Sequence, residues 1–413
     1  MKNTKAGITK ILVGILIPLL FSSCLKDDCR HTYKITVPVF TRLSSLRSAI
    51  RSEAPRAINS TGKLYVEGSS IYLNEPGRGI HVIDNTRPDH PVKTAFINIP
   101  GNADMYLKGN ILYADMYCDF VAIDISNPLN ILVKKFLTKT FPDKAVYSVS
   151  TNPDSIDVVT NWISRDTTVS CSGNGVVYFP GASNVNMFAS ASTNSSKATG
   201  TAGSMARFAA VNDHMYTVSS SNLNVIDIRE SSNPLFVRTK PIGWNIETIF
   251  PYNNRLYLGS SASMSVFDLQ NPADPNQLSW SGHWCSHDPV VADDNYAYVT
   301  LHAANFCNSQ VNQLEVYSLN TTSPELVKTY PLVSPQGLSK DGSLLFICDG
   351  KDGLKVFDAA DINNLKIIKH FPGMETYDVI ASNGIAYVVA KDGLYQFDYS
   401  NTSNIHLLSK MLK

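Results

Sequence analysis

Six residues at one recurring place in this chain carry side chains suited to holding charge: Asp104, Arg207, Glu247, Asp288, Gln336 and Asp378. Five of them stand 20 to 22 positions before a repeated marking residue, and Asp288 stands 30 before Ser318 in an expanded unit. Four of the six are acids. Clustered carboxylates raise one another's pKa and are relieved by a bound positive charge, so a ring of this composition suits a cation or the basic group of a ligand. A divalent cation is the one cofactor this implies. The simpler alternative is that such positions are polar because water reaches them.

A second cluster, His283, Cys285, His287, Asp288, His302 and Cys307, combines donors that transition metals favour. His283-x-x-x-His287 would converge on a helix, but the segment falls between strands, so no metal site is assigned. Loop histidines and a Cys285–Cys307 disulfide are the expectation. Trp244, Trp284 and Tyr377 flank the same region and offer flat faces to sugars or aromatics, packing against neighbouring sheets being the alternative. The chain has no G-x-S-x-G elbow, H-E-x-x-H helix, Walker loop or dinucleotide fingerprint. Paired carboxylates for glycoside hydrolysis remain open, since their separation belongs to the fold.

The elements that position these residues follow from a repeat. The strings ending at Asp84, Asp124, Asp227, Asp268, Ser318, Asp358 and Asp398 are β-branched or aromatic runs such as Ile80-His-Val-Ile-Asp84 and Leu354-Lys-Val-Phe-Asp358, spaced by 40, 103, 41, 50, 40 and 40 residues. Within a unit, Asp104 to Leu107, Ile111 to Ala114, Phe120 to Ile125 and Ile131 to Phe136 read as four short strands. Five residues before the mark stand Gly79, Asp119, Asn222, Gly353 and Gly393, types that tolerate the positive φ of a tight hairpin. Asn, Ser and Pro follow the marking aspartates, whose carboxylates are expected to accept amides of the turn. Four antiparallel strands repeated seven times predict an all-β, seven-bladed β-propeller over residues 62–413, because radial closure shields sheet edges.

Three regions fall outside the period. Leu43, Leu46 and Ile50 have helical spacing and predict a short amphipathic helix within 44–53. The 103-residue interval carries an insertion at about 143–204, rich in Ser, Thr, Asn, Gly and Ala, which reads as a loop. At the N-terminus, Lys2, Lys5 and Lys10 precede an apolar run, Ile11 to Leu20, too short to span a bilayer, and Leu20-Phe21-Ser22-Ser23-Cys24 resembles a lipobox. Residues 1–23 are therefore expected to be a lipoprotein signal peptide, Cys24 the lipid-bearing residue, palmitate among its acyl groups, and 24–61 a tether ending in the helix. Lys26-Asp27-Asp28 resembles the surface-export signal of some Gram-negative outer-membrane lipoproteins. Export would put the remaining six cysteines in an oxidising compartment.

Lys+Arg and Asp+Glu both number 35, so the chain has no global positive field and nucleic acid is excluded as an expected partner.

The repeated Val-Ile-Asp and Ala-Ile-Asp strings, with Gly79-Ile-His-Val-Ile-Asp-Asn85, Gly243-Trp-Asn-Ile-Glu-Thr-Ile-Phe-Pro251 and Asp352-Gly-Leu-Lys-Val-Phe-Asp358, resemble the LVIVD repeat family of bacterial β-propellers, its surface lipoproteins above all. The likeness covers about residues 56–413. It implies a propeller in the cell envelope and names no chemistry. The functional expectation is a surface-anchored, non-catalytic, monomeric binding propeller that meets the membrane through its anchor and engages an envelope protein, glycan or nutrient. The alternative is a hydrolase or lyase acting on a polysaccharide or lactone through the acid ring.

Overall fold

A computed structural model describes residues 30–142, 152, 155–170, 196–197, 201–202, 204, 206–282, 286–287, 289–303, 311–320 and 323–413. The segment 1–23, Cys24 and Lys26-Asp27-Asp28 lie outside the described residues, as do His283, Trp284, Cys285, Asp288, Cys307 and most of the 143–204 insertion.

Seven antiparallel sheets follow one another along the chain, each an up-and-down run of four strands. Their first strands are Leu64–Glu67, Met105–Lys108, Phe208–Val211, Ile246–Tyr252, Val290–Ala292, Leu338–Asp341 and Thr376–Ser382. These meet between neighbouring sheets and are the innermost strands of seven propeller blades. The outermost strands are Val92–Asn98, Leu132–Leu137, Leu235–Pro241, Asn276–Gly282, Glu325–Pro331, Lys366–Phe371 and His406–Leu412, exposed over much of their length except in blade 1, where Ala95, Phe96 and Ile97 are buried. Strands in the middle of a blade are apolar on both faces because each packs against two neighbouring blades.

The marking residues close their strands as expected. Asp84 Oδ1 accepts the Thr86 amide at 2.9 Å, Asp124 Oδ1 that of Ser126 at 3.0 Å, Asp268 Oδ1 that of Gln270 at 2.9 Å and Asp398 Oδ1 that of Ser400 at 2.8 Å. Asp227, Asp358 and Ser318 do the same. Every blade also has one bulge between its third and fourth strands, at Thr94, Lys134, Val237, Leu278, Val327, Ile368 and Leu408. An extra residue there increases the twist of the outer strand.

Gly79, Gly353 and Gly393 adopt φ of 142°, 88° and 155°, and a Cβ on any of them would overlap a carbonyl oxygen of the outermost strand. Asp119 and Asn222 do not share that backbone; in blade 2 the left-handed residue is Tyr117. Asp119 stands opposite Met116, the same register in which Gly393 stands opposite Ala390, and its carboxylate pairs with Arg47 at 2.7 Å.

Blades are joined by tyrosines that reach the aspartate turn of the next blade: Tyr113 Oη donates to the Ser231 carbonyl and Tyr216 Oη to that of Pro272, both at 2.8 Å. The ring closes without exchanging a strand. Ser409 Oγ of blade 7 donates to the Pro88 carbonyl of blade 1 at 2.7 Å, and Gln396 Nε2 to Asn85 Oδ1 at 2.7 Å. Beneath them Ile380, Tyr387, Val389 and Leu394 form one apolar cluster with Ile58, Leu64, Val66, Ile71, Leu73 and Ile83.

The helix expected within 44–53 is shorter and displaced: it spans Leu43–Arg47, and Arg51–Glu53 is a strand antiparallel to the outermost strand of blade 1. Leu43, Leu46 and Ile50 still face the core. The edge amides of blade 1 offer more hydrogen bonds to residues 51–53 than another helical turn would. The insertion departs from a plain loop, since it supplies strands Asp157–Ser170, Ser196–Lys197 and Thr201–Ala202. Residues 30–39 and 161–170 belong to a separate small unit built on the pairing of Arg30–Arg42 with Asp157–Ser170, in which Thr32 and Thr168 hydroxyls bond at 2.9 Å. No helix among the described residues is long and apolar enough to cross a membrane.

Candidate functional site

The starts of the innermost strands, the ends of the second strands and the starts of the third strands share one face of the wheel, because strands alternate direction within a blade. Buried polar residues gather there. Lys63 and Asp104 are 5% and 3% exposed, and Lys63 Nζ lies 2.5 Å from Asp104 Oδ2. The same carboxylate accepts the Arg207 amide at 2.6 Å and the Met105 amide at 2.7 Å. Burial lowers the Lys63 pKa, opposed by Asp104. The charges of Arg207 and Asp115 also act on that ammonium, and the Lys63 charge acts on Asp378.

Lys63 was not among the residues singled out from the sequence, yet it stands 21 positions before Asp84, at the same offset as the others. The counting rule finds it once blade 1 is included. It supplies from within the chain the basic group that an acid ring attracts.

Asp378 is fully buried, and burial pushes its pKa well up. The Val379 and Ser204 amides point toward it and pull the other way, but neither oxygen has a hydrogen bond of regular geometry. Gly337 makes the space: a Cβ there would overlap the carboxyl group. Gln336 is half-buried, its amide donating to the Cys348 carbonyl and its own carbonyl accepting from Thr300 Oγ1 at 2.6 Å. Glu247 is half-buried on blade 4.

A second set of acids went unnoticed in the sequence. Glu75, Asp115 and Asp349 each stand nine residues before a marking aspartate and are fully buried. Asp115 Oδ1 accepts the Ala103 and Asp104 amides at 2.7 and 2.8 Å, and Asp349 Oδ1 the Ser334 amide at 2.7 Å while Oδ2 meets Lys355 Nζ at 2.5 Å. Glu75 meets His81 Nε2 at 2.9 Å and Arg56 at 3.4 Å. Burial works to raise the Glu75 pKa, but hydrogen bonds from His81 and Asn59 and the Arg56 charge bring it below the ordinary value. Burial lowers that of His81. These acids hold the loops between blades by charge-assisted hydrogen bonds.

The axis itself is occupied. Thr201–Ala202 adds to the axis-facing edge of Leu64–Glu67, with Thr201 opposite Val66 and Ala202 opposite Tyr65. Its hairpin partner, Ser196–Lys197, lies against the innermost strand of blade 4, across the wheel. Ser204 Oγ then accepts the Leu338 amide of blade 6 at 2.7 Å. The short strands Ser196–Lys197 and Thr201–Ala202 therefore lie among the innermost strands of the wheel.

Of the donor cluster, His302 is described: its Nδ1 lies 3.4 Å from Ser334 Oγ, and its strand pairs with Ser286–His287 so that His287 stands opposite His302. This is strand geometry, not a helical His pair. Among the described residues no three His, Cys, Asp or Glu side chains are grouped to hold a metal. Cys118 and Cys348 are buried free thiols. Tyr377 is half-buried, whereas Trp244 is 86% exposed.

No family model matches the chain and no curated protein matches it, so the likeness to LVIVD repeats rests on the repeat strings. Solved structures share the fold. The computationally designed protein Ika8 aligns over 87% of this chain and 90% of its own, with 10% identity and a TM-score of 0.52. A protein from Lactobacillus plantarum aligns over 86% and 96%, with 12% identity and a TM-score of 0.51. PorZ, an essential bacterial surface component of the type-IX secretion system of Porphyromonas gingivalis, aligns over 88% of this chain and 39% of its own, with 12% identity and a TM-score of 0.50. At these identities the likeness is one of architecture: the chain is a seven-bladed β-propeller.

Proposed function

We propose that this chain is a non-catalytic binding propeller of the LVIVD type, anchored in the outer membrane through Cys24 and engaging an envelope protein or glycan with its outer surfaces. The observation that carries this reading is the occupied axis. Ligand sites in ring-shaped folds sit where polar groups converge on a cavity, and here the paired strands Ser196–Lys197 and Thr201–Ala202 take that place. Asp104, Asp349 and Asp115 are engaged in holding Lys63, Lys355 and loop amides. A general acid or base needs reach to a substrate proton, which such buried, internally paired carboxylates lack. The surface role printed for PorZ is in keeping with this address.

Affinity capture from intact envelopes, with the lipid anchor retained, tests the reading. One defined protein or glycan is expected to co-purify in stoichiometric amount, and Cys24→Ser is expected to abolish palmitate labelling and release the chain from the membrane fraction. Turnover of a polysaccharide or lactone that Asp104→Asn abolishes, with the fold intact, would establish the enzyme instead.

A further inference from the structure

We propose that the rim of blade 4 is a binding site for a neutral glycan, an inference that rests on the binding reading above and names its ligand class. Trp244 and Trp280 are 86% and 63% exposed. Each indole offers a flat apolar face with a polar N–H to whatever approaches from water. Both belong to the same edge of the same blade. Trp244 precedes Asn245, whose carbonyl accepts the Ser261 amide at 3.1 Å, and Ile246 stands opposite Ser260. On the other side of that hairpin Ser263 stands opposite Gly282, and Ser265 opposite Trp280. Gly282 is what lets the second indole lie along the strand end, since a Cβ there would come within 3.0 Å of the Trp280 ring.

The two indoles thus flank the turn Ser260-Ser261-Ala262-Ser263, in which Ser260 and Ser261 are buried and Ser263 is half-buried. Their backbones are separated by the width of a four-stranded blade, roughly 14 Å, the length of a short oligosaccharide. Neutrality selects the ligand class further. The outermost strand of blade 4, Asn276–Gly282, has no charged residue, whereas the other six carry Lys93, Lys134, Arg238, Lys328, Lys366 and Lys410 among others. Those cations guard exposed strand edges against pairing. A charged ligand finds no counter-charge on this strand. A sugar presents axial C–H faces to the indoles and hydroxyls to the exposed Asn245 beside Trp244 and to the half-buried Ser281 beside Trp280.

The full chain titrated with maltohexaose, cellohexaose, mannohexaose and chitohexaose, followed by tryptophan fluorescence and calorimetry, is expected to bind at least one of them. Trp244→Ala and Trp280→Ala are each expected to weaken that binding about tenfold, equivalent to about 1.4 kcal/mol, with unchanged melting because both side chains are exposed. No binding of any of the four below about 10 mM overturns the proposal. Undiminished binding by the double variant overturns it while leaving a binding propeller standing. Concentration-dependent dimerisation that Trp280→Ala abolishes, with sugar binding unaffected, makes the rim a contact between copies and overturns it too.

Discussion

Leu223, Leu354 and Leu394 occupy one position, four residues before the marking aspartate, in blades 3, 6 and 7. All are at most 1% exposed. Leu223 packs in a cluster shared with blade 4 and Leu354 in one shared with blade 7, while Leu394 packs with Ile58, Leu64, Val66 and Ile71 of blade 1 and its lead-in segment. A closed ring makes the three sites equivalent. Leu→Ala at a buried site costs about 3 kcal/mol through lost transfer energy and the cavity left behind. With an unfolding entropy of about 2.1 cal/mol/K per residue over roughly 350 propeller residues, that lowers Tm by about 4 °C. Differential scanning calorimetry of the three variants is expected to give three similar decrements. In an open arc Leu394 would face water, and its truncation would cost below about 1 kcal/mol, or about 1 °C. A Leu394→Ala variant that melts with wild type, beside two that do not, refutes closure at the seam between blades 7 and 1.

Three further outcomes follow from buried groups. Lys63→Met strands the Asp104 charge inside the wheel and is expected to cost about 3–5 kcal/mol in chemical denaturation, whereas Arg87→Met, which breaks an exposed pair with Asp89, changes stability by less than about 1 kcal/mol; equal effects would contradict the burial assigned to Lys63. Asp378 holds its proton more tightly folded than unfolded, so it contributes stability that is full below about pH 3.8 and declines as pH rises through its folded pKa. Asp378→Asn is therefore expected to flatten the fall in Tm with rising pH and to melt above wild type near neutrality; an Asn variant less stable than wild type across that range speaks against a strained carboxyl. Gly353→Ala, at φ 88° and against the Phe371 carbonyl, is expected to cost more than about 2 kcal/mol, while Gly342→Ala, at φ 55° with open space around it, costs about 1 kcal/mol from the backbone alone.

The repeat made the architecture legible because each blade solves the same problem: a strand buried on both sides must be apolar, and its end must satisfy turn amides. Asp84, Asp124 and Asp398 carry that second requirement in their side chains, so counting them counted the blades. Asp104 and Arg207 were found by offset alone, and the Asp104 carboxylate accepts the Arg207 amide because both stand just before the innermost strands of adjacent blades. Lys63 obeyed the same rule but fell in the unit whose lead-in sequence broke the pattern. Glu75, Asp115 and Asp349 were hidden for a different reason: a buried acid at the end of a strand has the same local sequence whether it binds a ligand or a loop. The course of the insertion was illegible, since Thr201 and Ala202 have no apolar pattern of their own and take their strand from the edge they pair with. The short helix forms but ends early, because the edge of blade 1, remote in sequence, competes for residues 51–53.

The occupied axis separates a propeller that works from its outer surfaces from one that works through its channel. Val66→Cys combined with Thr201→Cys tests it most directly, since cross-strand partners have Cα atoms about 4.5–5.5 Å apart, within disulfide range. Peptide mapping of the oxidised, folded double variant is expected to recover positions 66 and 201 as one disulfide-linked species that reduction separates. Both thiols remaining free and fully alkylated under the same oxidation would place the hairpin elsewhere and leave the channel open.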